Sequence, residues 1–188
     1  MPYLTEETLN NLGLKKFGRN VLISDKASLY GVNKISIGDN VRIDDFCILS
    51  AVGGAIEIGN HIHIGAYSAL FGAGHIVLED FSGLSSHVCI YSASDDYSGD
   101  FLIGPTMDQD LCRVIKKKTI IGRYATCGSH AVVLPGASLA EGSILGAQSL
   151  AVKPLEPWQI YSGLPARFIK ERKTGLIEKA KLMEERWK

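Results

Sequence analysis

The stretch VCIYSASDDYSG, residues 88–99, runs from a short aliphatic segment into two adjacent carboxylates, Asp95 and Asp96, followed by Tyr97. His87 stands immediately before it. A second histidine, His130, lies three residues after Cys127, just as His87 lies three after Leu84. An imidazole titrates near 6.5 and suits removal of a proton from an attacking hydroxyl at neutral pH; an ordinary aspartate near 3.9 is a weak base unless its surroundings raise it. A carboxylate beside an imidazole orients the ring and stabilises the imidazolium formed during transfer. The residue types suit proton abstraction with His87 as general base and Asp95 or Asp96 orienting the imidazole or a bound ligand. Asp95 is the second candidate for the base and His130 a third, and Asp96, Tyr97 and His130 are placed to hydrogen-bond an acceptor. Ser, Asp and Gly clusters also make plain loops, and His87 and His130 equally suit corners of a regular scaffold.

That scaffold is legible as a period of six. From Ile121 an apolar or small residue recurs at Ile121, Cys127, Val133, Leu139, Leu145 and Ala151, and the residue four after each of the first five is small: Ala125, Ala131, Ala137, Ser143 and Ser149. A helix would place apolar residues at three and four, and a hairpin would alternate by two. The same beat runs earlier through Ile37, Ile43, Leu49, then Ile58, Ile64, Leu70, then Leu78, Leu84, Ile90. Three beats make one triangular turn of 18 residues. Ile37 to Ile58 is 21 residues and Ile58 to Leu78 is 20, so small bulges such as VGGA sit at one corner.

Stacked turns predict an all-β parallel solenoid with strands about 4.8 Å apart. On that scaffold His87 and His130 occupy equivalent corners of consecutive coils, in line with Phe46, Tyr67 and Gln148. The break from Ile90 to Ile121 predicts an extruded loop at about 94–118. TEETLNNLGL, with Thr5 as N-cap, and TGLIEKAKLMEERWK, with an apolar stripe of Leu176, Ile177, Ala180 and Met183, predict short terminal helices that cover the ends. The expected organisation is one domain: a cap helix in 1–17, the solenoid over 18–170 and a helix in 171–188.

The 188 residues carry 20 Lys+Arg against 20 Asp+Glu, so no global field favours nucleic acid or an anionic membrane. With no apolar run near 20 residues and no signal-like start, the expected location is cytoplasmic. Cys47, Cys89, Cys112 and Cys127 show no CxxC pair and read as reduced packing residues. No metal is expected. The five histidines lack the paired spacing of a zinc-dependent carbonic anhydrase.

The block IIGRYATCGSHAVVLPGASLAEGSILGAQSLAVKPLEPWQIYSGLPARFIK adds specificity. Its GSH-x-V-x-x-PG stretch at 128–136, G-A-x-S at 146–149, Lys153, and Y-x-G-x-P-A-R at 161–167 resemble the terminal coils of the hexapeptide-repeat acyltransferases. Among these they are most similar to the sugar O-acetyltransferase group of galactoside and maltose acetyltransferases and polysaccharide-modifying relatives, and the likeness extends more weakly over about 18–170. The resemblance implies a left-handed β-helix, a homotrimer, and acetyl-CoA as co-substrate in a groove. Ser129 and Ala147 would line the pantetheine arm, with Lys153, Arg167 and Lys170 near the phosphates.

It also implies acetyl transfer to a hydroxyl of a sugar or sugar derivative, in surface-polysaccharide synthesis, with self and a small sugar as partners. The family's IYTATHP pattern places its proton-removing histidine where this chain has Asp95. That departure opens two alternatives. An amine acceptor attacks a thioester without a strong base, as in hexapeptide enzymes acting on amino-sugar nucleotides. A non-enzymatic scaffold would keep the beat but would not need the terminal motifs.

Overall fold

The computed structural model describes residues 2–187. Strands mostly of two or three residues stack as a parallel β-solenoid of about seven turns, whose ladders form walls of eight, six and four strands, the wall of eight closing on two longer strands. The six-residue beats are its inward-facing rungs. Ile43, Ile64, Leu84, Cys127, Leu145 and Tyr161 lie one above another in the first wall. Leu29, Leu49, Leu70, Ile90, Val133 and Ala151 do so in the second, and Ile37, Ile58, Leu78 and Ile121 in the third. Nearly all of these are buried in one continuous core, and each fully buried Ile or Leu contributes about 1.5–3 kcal/mol. The small residues four after each beat, from Ala125 to Ser149, are also buried, because the chain turns inward there with no room for a larger side chain.

Close stacking of the corners explains the small residue that follows every beat of the first wall from Ile64 on: Gly65, Ser85, Gly128, Gly146 and Ser162. A Cβ on Gly128 would stand 2.5 Å from the backbone nitrogen of Ala147 in the next coil. Backbone cannot yield as a flexible side chain can, so Gly128→Ala is expected to destabilise by about 1–3 kcal/mol. The fall in thermal midpoint measures it, and an unchanged midpoint would mean that the coils slide apart freely.

The sheet departs from the expected regular coil at its C-terminal end. Gln159–Gly163 and Ala166–Glu171 pair antiparallel. The six-residue beat has run out by Leu155, and Gly163, at φ 104, permits the tight reversal that a side chain would oppose. The C-terminal helix therefore begins at Leu176, and the N-terminal helix is confined to Glu6–Asn11, with the Thr5 hydroxyl accepting from the Thr8 N–H at 3.2 Å.

The apolar stripe of the C-terminal helix faces its own solenoid. Leu176, Ala180 and Met183 line a shallow pocket with Phe81 and Tyr124. Arg123 pairs with Glu184 at 2.6 Å, and Arg172 donates to the carbonyls of Tyr124 and Gly142 at 2.7 and 2.8 Å. All four cysteines are free, and burial pushes the thiols of Cys47 and Cys127 up to about 11 and about 12. No helix of the described residues is long and apolar enough to cross a membrane.

Candidate active site

Each inward residue of the first wall is followed by a corner that repeats from coil to coil. The backbone N–H groups of Gly65, Ser85, Gly128 and Gly146 donate to the carbonyls of Leu84, Cys127, Leu145 and Tyr161 at 2.7–3.0 Å. Next come Ala66, Ser86, Ser129 and Ala147. Then Tyr67, His87, His130 and Gln148 turn the chain with φ between 53° and 63°. A staircase of small residues thus runs beside a ladder of rings. Along the staircase lies an open groove of about 440 Å³, lined among others by Asp44, His63, Gly83, Ser85, Ser86 and Ser129. Ser86 Oγ and Ser129 Oγ are 3.5 Å apart across two coils.

The ladder brings the two predicted histidines together. The His87 and His130 rings stack at 4.4 Å, and the other face of His87 stacks on Tyr67 at 4.8 Å. No hydrogen bond or ion pair joins His87 to Asp95 or Asp96 among the described residues. Within this chain the ring is oriented by stacking, not by a carboxylate.

The two aspartates separate in role. Asp95 ends the strand Ala93–Asp95, which pairs antiparallel with Val114–Lys116 at the base of the extruded loop; it is half-buried, and no hydrogen bond or ion pair to its carboxylate occurs among the described residues. Asp96, 8% exposed, is occupied: its Oδ1 accepts from the Ser98 N–H at 2.8 Å and its Oδ2 lies 3.6 Å from Arg113 Nη1. The Ser98 bonds, helped by Arg113, hold its carboxyl below the usual carboxylate range. Asp96 therefore ties the loop. Its contribution is present above the ordinary carboxylate pKa and is lost as the pH falls through the lowered value. Asp96→Ala is expected to raise limited proteolysis within the loop several-fold at neutral pH, an effect that wild type shows only on acidification. Tyr97 is 75% exposed beside it.

Ser129 and Ala147 fall on the same step of adjacent coils, open to solvent on one side. Gly128 and Gly146 precede them, and at Gly128 the missing side chain is what lets the next coil approach so closely. Lys153 follows the last parallel strand of the second wall, while Arg167 and Lys170 project from Ala166–Glu171; all three are exposed, and no ion pair engages them among the described residues. The structure gathers these residues toward the C-terminal coils.

One cluster escaped the sequence reading. Asp44, with its side chain only 12% exposed, holds His63 Nε2 at 2.7 Å and Arg42 Nε at 2.9 Å. Arg42 Nη2 also donates to Asp44 Oδ2 at 3.3 Å. Arg42 and His63 are register partners on the outward face of the first wall. The signal was available: each stands one residue before a beat, at Ile43 and Ile64, so the period that buries the isoleucines turns both outward on adjacent coils.

No protein-family model matches the chain. A curated relative, the dTDP-4-amino-4,6-dideoxy-D-glucose acyltransferase of Escherichia coli, is 42% identical over 178 residues, 95% of this chain and 93% of the relative. The solved structure of AntD, an N-acyltransferase from Bacillus cereus, in complex with dTDP and coenzyme A superposes with a TM-score of 0.92 at 40% identity, covering 98% of this chain and 99% of that one. Further structures of AntD hold dTDP-4-amino-4,6-dideoxyglucose with coenzyme A, or 3-hydroxybutyryl-CoA with dTDP, and include variants at one aspartate and at a serine ten positions before it. The galactoside O-acetyltransferase of E. coli K12 matches over only 51 residues, 27% of this chain, at 37% identity. A lipopolysaccharide-biosynthesis O-acetyl transferase of E. coli K12 matches over 92% of this chain, but at only 24% identity. The expected resemblance is thus correct for fold and for acyl transfer, while the higher identities, 40–42%, lie with the amino-sugar enzymes. The chain belongs to the hexapeptide-repeat β-helix acyltransferases, in the family of the dTDP-amino-sugar N-acyltransferases.

Proposed function

We propose that the protein transfers an acyl group from acyl-CoA to the amino group of a dTDP-4-amino-4,6-dideoxyglucose-type acceptor. The observation that carries this reading is the 42% identity over 95% of the chain to an acyltransferase for that sugar nucleotide. The site is consistent with it. A hydroxyl acceptor needs a base in the transition state, and this chain has Asp95 where the O-acetyltransferases have histidine; an unprotonated amine attacks a thioester directly. The expectation of O-acetylation with His87 as base gives way to the N-acyl alternative.

In the proposed mechanism the CoA arm lies along Ser129 and Ala147 with its phosphates toward Lys153, Arg167 and Lys170. The acceptor amine sits between Ser85 of one copy and Asp95 of a second, because the strand Cys89–Tyr91 holds the two apart within one chain. They are ten residues apart in sequence, as are the varied serine and aspartate of AntD. Ser86 and Asp96 share that spacing, but Asp96 is committed to Ser98 and Arg113. The nitrogen attacks the thioester carbon, a C–N bond forms, and the C–S bond breaks. Asp95 accepts an N–H bond from the nitrogen and stabilises the positive charge it gains, and the departing thiolate takes the proton the nitrogen loses. His87, His130 and Tyr97 border the acceptor. A second copy closes the open side of the groove, and a cyclic trimer is the proposed assembly.

The test is incubation with dTDP-4-amino-4,6-dideoxyglucose and either acetyl-CoA or 3-hydroxybutyryl-CoA. Release of free thiol with a matching mass gain on the nucleotide sugar is expected for at least one donor. Thiol release only with hydroxyl sugars would return the protein to O-acyl transfer, and no CoA binding at all would leave a scaffold.

A further inference from the structure

We propose that Arg42 and His63, positioned by the buried carboxylate of Asp44, form the anchor for the acceptor's diphosphate. The proposal rests on the acceptor reading above and deepens it. If acyl-CoA occupies the C-terminal coils at Ser129 and Ala147, the rest of the acceptor has to lie on the N-terminal side of Ser85, and the groove continues that way past Gly83 to His63 and Asp44. His63 pairs in register with Gly83, two residues before Ser85. It therefore stands one strand spacing of about 4.8 Å across and two residues of about 3.3 Å each along the wall from Ser85. A pyranose ring bearing its amine near Ser85 places its anomeric phosphate at that range.

The cluster has the chemistry of an anion seat. Asp44 holds both side chains: Oδ2 takes His63 Nε2 at 2.7 Å and Arg42 Nη2 at 3.3 Å, and Arg42 Nε forms an ion pair 2.9 Å from Oδ1, which makes no hydrogen bond among the described residues. Arg42 Nη2 also lies 2.9 Å from His63 Nε2, so Arg42 keeps the N–H groups of Nη1, and His63 keeps Nδ1, for a ligand; both side chains are about half exposed, at 48% and 49%. His63 Nε2 lies between Asp44 Oδ2 at 2.7 Å and Arg42 Nη2 at 2.9 Å, which leaves Nδ1 for a phosphate oxygen, while Arg42 offers the charged N–H groups of Nη1. Beyond His63 a second open groove of about 360 Å³ leads to Asn40, His61 and Met183 of the C-terminal helix, and gives the nucleoside a place to lie.

Calorimetric titration of the full-length protein with dTDP, thymidine and coenzyme A tests this. Wild type is expected to bind dTDP far more tightly than thymidine. Arg42→Gln and His63→Gln are each expected to weaken dTDP at least about tenfold, as loss of a charge-assisted bond does, with thymidine and coenzyme A affinities unchanged. Unchanged dTDP affinity in both variants overturns the proposal, as does an equal loss of thymidine or coenzyme A affinity in variants that keep the wild-type circular dichroism. If one variant fails to fold, the other supplies the same comparison. A wild-type protein that binds coenzyme A but not dTDP overturns the acceptor reading itself, a result distinct from a failure of this anchor alone.

Discussion

Asp95→Asn is expected to lower kcat/KM for the amino-sugar nucleotide by about a hundredfold, while His87→Ala stays within about threefold of wild type; a hydrogen bond to a charged group is worth about 1.5–3 kcal/mol, and its loss in the transition state appears directly in kcat/KM. Of the two adjacent aspartates only Asp95 has its carboxylate uncommitted; Asp96 spends its own on Ser98 and Arg113. An attacking amine gains positive charge as its bond to the acyl carbon forms, so a nearby carboxylate favours the transition state over the neutral ground state. His87 has no carboxylate partner among the described residues, and its ring is held only by stacking between Tyr67 and His130. Steady-state thiol release, read alongside the thermal midpoint to exclude unfolding, checks both variants. Loss of turnover in His87→Ala with Asp95→Asn unaffected would reverse the assignment and restore an imidazole base.

The parts of this molecule that the sequence reveals are those set by one repeated constraint. An aliphatic residue every six positions is what a three-walled coil requires, and from Ile37 to Ala151 the beats become the rungs of the core. The loop was visible as the failure of that beat between Ile90 and Ile121. The antiparallel pairing of Gln159–Gly163 with Ala166–Glu171 was not, because a reversal at Gly163 depends on one glycine conformation and carries no period. Outward positions obey no constraint either. Arg42 and His63 are neighbours in register but 21 residues apart in the chain, and only the stacking of coils reveals that Asp44 holds them both. Asp95 and Asp96 are alike in type and context, and what distinguishes them is a turn closed by the Ser98 N–H. The terminal motifs at 128–136, 146–149 and 161–167 indicate acyl transfer but are silent on the acceptor, because they belong to the coils assigned to coenzyme A. In the proposed arrangement the acceptor side carries the difference between O- and N-acyl enzymes, and its residues are scattered over earlier coils.

A dTDP-sugar with a hydroxyl in place of the 4-amino group is expected to be acylated at least about 10³-fold more slowly while binding with similar affinity, because general-base assistance worth about 10²–10⁴ is what a hydroxyl would need and the site lacks. The argument turns on the proton. An amine attacks through a lone pair and sheds its proton after the C–N bond has formed, when the nitrogen is cationic and the departing thiolate is at hand. A hydroxyl has to lose its proton as the bond forms, and it requires a group basic enough to take it at that moment. Asp95 can accept a hydrogen bond from either nucleophile, but a carboxylate is intrinsically a far weaker base than the imidazole that the O-acetyltransferases place there. Product analysis with both nucleotide sugars at saturating acyl-CoA measures the ratio. Rates within about tenfold of each other would require a competent base in the groove, and the stacked pair His87 and His130 would be the place to look for it.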